Sequence, residues 1–167
     1  MDSGDIGRQA SVEGFAHEHI VVGLLMKKYQ NVSLVDLPLS PYDIIIVRKL
    51  INGSEDIIRA QVKTSKKSII FTGGIRGGVD REYKSNVKTY IQSPETSDVI
   101  IGLNPLKEGS FDMYFIPTVL IKRFGTKSKS IKSMELFKNN YEMLENCKNE
   151  EFIIQRCKDS GFKLYEV

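Results

Sequence analysis

An α/β domain, with a central mixed β-sheet flanked by helices, is the fold class this sequence predicts, and three observations lead there. Asp43 to Val47 and Ile57 to Lys63 are apolar, β-branched-rich segments on either side of a strong Asn52-Gly53 turn signal, as the arms of a hairpin are. Asp98 to Leu103 and Asp112 to Ile116 repeat the strand pattern downstream. Stretches of helical spacing lie before, between and after these strands, the order expected of helices packed on a mixed sheet. A chain of 167 residues suits one domain, 1–167, and 41% hydrophobic with 27% charged residues is the composition of a globular rather than a disordered chain.

The first helix is expected over about residues 12–29. Its Ile20 to Met26 stretch is apolar on nearly every face, which predicts burial, and Lys27 and Lys28 suit the negative end of the helix dipole. Val32 to Leu37 reads as a short strand closed by Pro38 and Pro41. The Ile-Ile-Ile-Val run after Asp43 predicts a strand buried on both faces. Ile57 to Lys63 returns antiparallel to it, and Ser68 to Thr72 adds a further strand segment. Gly73, Gly74, Gly77 and Gly78 mark a loop near the candidate site. Tyr83, Val87, Tyr90 and Ile91 recur at helical spacing, with Pro94 beyond. The two later strands are joined through Asn104-Pro105. Pro117 to Phe124 reads as a short helix, and Ser133 to Cys147 as a longer one.

The formal net charge of +3 says little about partners, but its distribution says more. Lys122, Arg123, Lys127, Lys129 and Lys132 form a run without an acid, and Lys63, Lys66, Lys67 and Arg76 form a second basic group. Such clusters fit a phosphate-binding surface and fit a solvated face equally well. Cys147 and Cys157 have no metal-ligand spacing and read as free thiols. The N-terminus lacks the apolar core of a signal peptide, and Ile20 to Met26 is too short to span a bilayer. An intracellular, cytoplasmic location is therefore expected.

Strand parity identifies the candidate chemistry. Residues two apart point to one face, so Arg59, Gln61 and Lys63 share a face of their strand. Folding the hairpin about Ile51 to Asp56 brings Asp43 within a residue or two of Gln61 and Lys63. A carboxylate, an amide and an ammonium then converge at the open end of the hairpin. Metal-assisted phosphodiester hydrolysis requires oxygen ligands for the ion and a cation or base beside the attacking water. Glu18 joins them from the first helix: Gly14, Val21, Val22 and Leu25 put it on an inward apolar stripe, where a carboxylate needs a partner. Glu13 is the other acid to consider, on a less apolar stripe. His17 and His19 flank Glu18 without the spacing of a zinc motif and read as polar or pocket-lining residues.

Pro41-Tyr-Asp43 followed by Gln61-Val-Lys63-Thr64 resembles the signature of the PD-(D/E)xK, restriction-endonuclease-like nucleases. Ala16 to Leu25 is similar to that family's first helix, which carries an extra acid. Asp98-Val-Ile-Ile and Tyr114-Phe-Ile-Pro117 resemble the strands that close its sheet. The likeness covers a core of about residues 12–120, followed by a helical extension of about 118–167. It is nearest the branch with Gln in the third position, which includes a group I intron homing endonuclease and proteins similar to Holliday junction resolvases. One extra residue separates Pro41 from Asp43, and Gln61 stands where an acid is usual.

The resemblance implies a restriction-endonuclease-like core that hydrolyses DNA with Mg²⁺, for which Mn²⁺ would substitute. The ion would be held by Asp43, Gln61 and Glu18, with Lys63 orienting or activating water. Lys66, Lys67, Arg76, Lys127 and Lys129 are the candidate DNA contacts. A homodimer or higher homo-oligomer is expected, because one hydrolytic centre cuts one strand at a time; Phe152, Ile153 and Ile154 either form its contact surface or simply cover the sheet. A catalytically silent DNA-binding or assembly domain on the same fold is the competing reading, and Gln61 in place of an acid keeps it open.

Overall fold

A computed structural model describes residues 3–37, 40–74 and 89–166. The chain opens with helix α1 (Ser3–Met26). Strands β1 (Asn31–Leu34), β2 (Ile44–Lys49) and β3 (Glu55–Thr64) follow. The short strands β4 (Ser68–Ile70), β5 (Thr72–Gly73) and β6 (Tyr90–Ile91) come next. Strands β7 (Val99–Pro105) and β8 (Phe111–Pro117) lead to a 3-10 helix at Thr118–Phe124 and to β9 (Ser128–Ser130). Helices α2 (Tyr141–Glu145) and α3 (Glu150–Asp159) complete the described chain.

Five strands form one mixed sheet in the order β1-β2-β3-β7-β8. All neighbours are antiparallel except β3 and β7, which run parallel. The hairpin turns where Asn52-Gly53 predicts it. Gly53 has φ +82°, a left-handed conformation that glycine adopts without steric cost, and the Leu50 amide donates to the Ser54 carbonyl at 2.8 Å. The expected α/β class, with its central mixed sheet flanked by helices, is the fold observed.

Central strands carry the core. Ile58, Ala60 and Val62 are buried on one face of β3, and Arg59, Gln61 and Lys63 are half-buried on the other. Burial on both faces falls to β7, whose Val99 to Leu103 are all buried. In β2 only Ile44 and Ile46 are fully buried, because Ile45 and Val47 lie on a half-covered face. Fully burying one such Ile stabilises the fold by about 1.5–3 kcal/mol.

Several elements differ from the sequence reading. α1 begins at Ser3 and ends at Met26, so Lys27 and Lys28 lie just past it; their amides donate back to the Leu24 and Leu25 carbonyls. One stripe of the helix is buried rather than every face: Val21 and Leu25 are covered, while Gly23 and Met26 are exposed. Tyr90 and Ile91 are not helical; they pair with Gly73 and Thr72 as a two-stranded ribbon. Tyr83 and Val87, like Gly77 and Gly78, lie outside the described residues. Asn104 and Pro105 continue β7, and the turn lies beyond them, closed by the Leu106 amide on the Ser110 carbonyl.

Ser133 to Cys147 is not one helix. Asn139 has φ +49°, its amide donates to the Met113 carbonyl, and its Oδ1 accepts from the Met113 amide, which fastens this segment to β8. That attachment leaves short 3-10 turns at Ile131–Ser133 and Glu135–Phe137 before α2. The C-terminal apolar segment is also not a free surface: Ile153 is fully buried, and Phe152 and Ile154 pack against the core. Among the described residues no helix is long and apolar enough to cross a membrane. Cys147 and Cys157 are free thiols, both buried.

Candidate active site

Asp43 lies one residue before β2, beyond the Ile44–Ala60 pair that ends the β2–β3 ladder. Its backbone is still tied on both sides. The Asp43 amide donates to the Ala60 carbonyl at 2.9 Å, and its carbonyl accepts from the Val35 amide at 2.8 Å. With β2 ended, the Val62 amide of β3 needs another acceptor, and Asp43 Oδ2 takes that bond at 2.7 Å. Gln61 Nε2 donates to the same oxygen at 2.9 Å. The carboxylate therefore continues the ladder and anchors the Gln61 side chain.

Lys63 follows on the same face of β3, opposite Gly102 of β7. Burial lowers its pKa from the ordinary lysine range, while the Asp43 and Glu18 charges act to raise it. Glu18 reaches the group from α1, as its apolar stripe predicts. Burial pushes its carboxyl up to about 7, the Asp43 charge adds to the rise, and His19 and Lys63 pull against it. Glu18, Asp43 and Lys63 thus feel one another's charge, and Gln61 is bonded to Asp43. The four residues come together from α1, the mouth of the hairpin and β3.

His17 fixes how α1 lies over the end of β3. It is buried, its Nδ1 is 2.7 Å from Thr64 Oγ1, and its ring meets Phe111 edge-on at 6.2 Å. His19 is exposed and turns back to its own helix, with Nδ1 2.9 Å from the Phe15 carbonyl. Glu13 does not join the site; it pairs with Lys66 at 3.0 Å, which holds its carboxyl below the usual range.

Part of each basic group meets in one ribbon, through the stretches around Lys67 and Lys127. β4 and β9 pair antiparallel, with Ile69 opposite Lys129 and Ser68 opposite Ser130. The Phe71 amide donates to the Lys127 carbonyl, and the Ile131 amide to the Lys67 carbonyl. Lys67 and Lys127 are exposed there. Lys129 is half-buried with its ammonium 5.4 Å from the centre of the Phe124 ring. Lys122 and Arg123 serve the fold instead, pairing with Glu150 at 3.6 and 3.1 Å. Arg76 lies outside the described residues.

Sequence reasoning missed Gln92. It is 1% exposed, and its Nε2 donates to Gln61 Oε1. Its neighbours suggested a helix end, and no motif spacing singles it out; only the folded path of β6 brings it to Gln61. Gln92 also borders a cavity of about 520 Å³, lined by Ile91, Thr118, Ile121 and Lys122, which contains none of the four site residues.

No family model matches this chain, and no curated protein matches it. Among solved structures it is similar to a bacterial homing endonuclease, I-Ssp6803I, at 16% identity. The match covers 76% of this chain and 74% of that one, with a TM-score of 0.41.

Proposed function

We propose that this domain is a divalent-metal-dependent endonuclease that hydrolyses DNA phosphodiester bonds. The observation that carries the reading is the grouping of Glu18 from α1 and Asp43 from the hairpin mouth with Gln61 and Lys63 of β3, all half-buried, Gln61 being bonded to Asp43. Their order also resembles the PD-(D/E)xK signature, with Gln61 in place of its usual acid.

The donor chemistry fits Mg²⁺. Two carboxylates stand near enough for Asp43 to help hold Glu18 protonated, an arrangement that a divalent cation would relieve. Among the described residues no three His, Cys, Asp or Glu form a closed metal cage. Mg²⁺ needs none, since it is commonly held by one or two carboxylates together with water and substrate phosphate. Asp43 and Glu18 would hold it, and bound there it would polarise the scissile phosphate and lower the pKa of a water.

The chain's own residues do the rest. Lys63 lies within electrostatic reach of both carboxylates, where its ammonium would bind a phosphate oxygen or orient the attacking water. Glu18 positions water from the helix side. Val62 and Gln61 hold Asp43 in place through Oδ2. The exposed Lys67 and Lys127, which flank the β4–β9 ribbon, are suited to contact phosphates; Lys66 would do so only by leaving Glu13. Two such centres related by a two-fold axis would cut both strands of a duplex, so the domain acts as a homodimer in this reading.

One observation favours a silent DNA-binding domain instead. The Gln61 oxygen is engaged by Gln92, and its amide nitrogen faces Asp43. Incubating the protein with plasmid, branched DNA and single strands, in Mg²⁺, Mn²⁺ or EDTA, separates the two readings. Metal-dependent nicking supports the nuclease, and binding without nicking supports the silent domain.

A further inference from the structure

Gln92 uses its whole hydrogen-bonding capacity inside the protein. Its Oε1 accepts from Ser97 Oγ at 2.9 Å and from Thr96 Oγ1. Its Nε2 donates to the Pro41 carbonyl at 3.4 Å and to Gln61 Oε1. The Pro41 carbonyl can only accept, so the nitrogen end of Gln92 is fixed on that side. The backbone closes the pocket as well. A Cβ on Gly73 would stand 2.9 Å from Gln92 Nε2 and 2.7 Å from the Tyr90 ring, so β5 passes over Gln92 only because residue 73 is glycine.

We infer that Gln92 is a positioning residue that sets the rotational state of the Gln61 amide, making Gln61 a donor to Asp43 rather than an oxygen ligand of the cation. The inference rests on reading Asp43, Gln61 and Lys63 as the reactive site. A primary amide has two orientations of nearly equal shape, and only its partners distinguish them. Turned over, Gln61 would set its NH₂ against that of Gln92 and its oxygen against the Asp43 carboxylate. Both contacts are repulsive. With Gln92 present, Gln61 and Val62 instead donate together to Asp43 Oδ2, which would leave Oδ1 for the cation. A buried Gln opposite the third signature position thereby explains how an amide serves there without binding metal.

The orientation is measurable in metal-free protein. In the wild type, the Gln61 side-chain NH₂ protons should show a nuclear Overhauser contact to the Val62 amide proton, because both donate to one oxygen. Gln92→Glu keeps the shape but, once ionised, sets an acceptor in place of the donor and competes with Asp43 for the Gln61 NH₂, so it should weaken that contact above the pH at which the carboxyl ionises. Gln92→Met, which neither donates nor accepts strongly, should weaken it and serves if the buried carboxylate prevents folding. In Mg²⁺ both variants should lose roughly 10- to 100-fold in nicking turnover with DNA affinity unchanged. Absence of the contact in the wild type, or its persistence in both variants, overturns the inference. Failure of the wild type to cleave any DNA would overturn the nuclease reading and leave the orientation result standing.

Discussion

Glu18 on α1 and Asp43 at the mouth of the hairpin share one electrostatic environment: burial, with the Asp43 charge adding to it, pushes the Glu18 carboxyl up to about 7. That value gives a pH signature in the metal-free protein. The folded state holds a proton on Glu18 between the ordinary value near 4.5 and about 7, where the unfolded chain has lost it. Stability from this group is therefore full below about 4.5 and is lost as pH rises through 7. A fully buried group would make this about 3 kcal/mol; at half burial, with solvent screening, about 1–2 kcal/mol is expected. Denaturant titrations from pH 4.5 to 7.5 should show the fall in the wild type and a flatter profile in Glu18→Gln. Parallel profiles would remove Glu18 from the site. Carboxyls held low, such as Glu13, act at more acid pH and with opposite sign.

Asp43→Ala should cost both stability and metal binding. The Val62 amide loses its acceptor, worth about 1–3 kcal/mol for a group cut off from water. Calorimetry should then show no Mg²⁺ or Mn²⁺ binding. Unchanged metal affinity would mean the ion is held elsewhere.

The hairpin and the placement of its polar residues were legible because the information is local. A turn signal, strand parity and an inward helical stripe place Asp43, Gln61, Lys63 and Glu18 without long-range knowledge. The parts misread depend on tertiary partners. Tyr90 and Ile91 have helical spacing, yet pairing with Thr72 and Gly73 makes them strand. Asn139 hooks onto Met113 and divides a predicted helix that local propensity alone would continue. Ile153 looks available for a partner subunit in sequence, but its own core takes it. Gln92 carries no local signature at all.

Neutralising Lys67 and Lys127 together should weaken binding to all DNA sequences alike. The slope of log affinity against log salt should flatten by about one to two units, as expected for lost phosphate contacts. A loss confined to one sequence would point to base readout instead. Lys122→Gln is the contrasting variant, because that lysine pairs with Glu150; it should leave the salt slope unchanged.

Gln61→Glu should tighten Mg²⁺ binding, since it adds a second charge beside Asp43 and still offers Gln92 an acceptor. Turnover need not rise with affinity, because a tighter ion changes the water and phosphate geometry. Calorimetry in the wild type and variant decides it, and equal affinity would mean that a charge beside Asp43 does not reach the ion, so that Asp43 is not its ligand.

Nicking of supercoiled plasmid by wild type and Lys63→Ala, with DNA affinity followed in parallel, tests the nuclease reading most directly. The wild type should nick in Mg²⁺ and stop in EDTA. The variant should bind DNA nearly as well and nick at least about 100-fold more slowly, the scale of losing a positioned proton-transfer or phosphate-binding group. Cleavage by Lys63→Ala at the wild-type rate, or nicking that survives EDTA, would contradict the assignment of Glu18, Asp43, Gln61 and Lys63 as the active site.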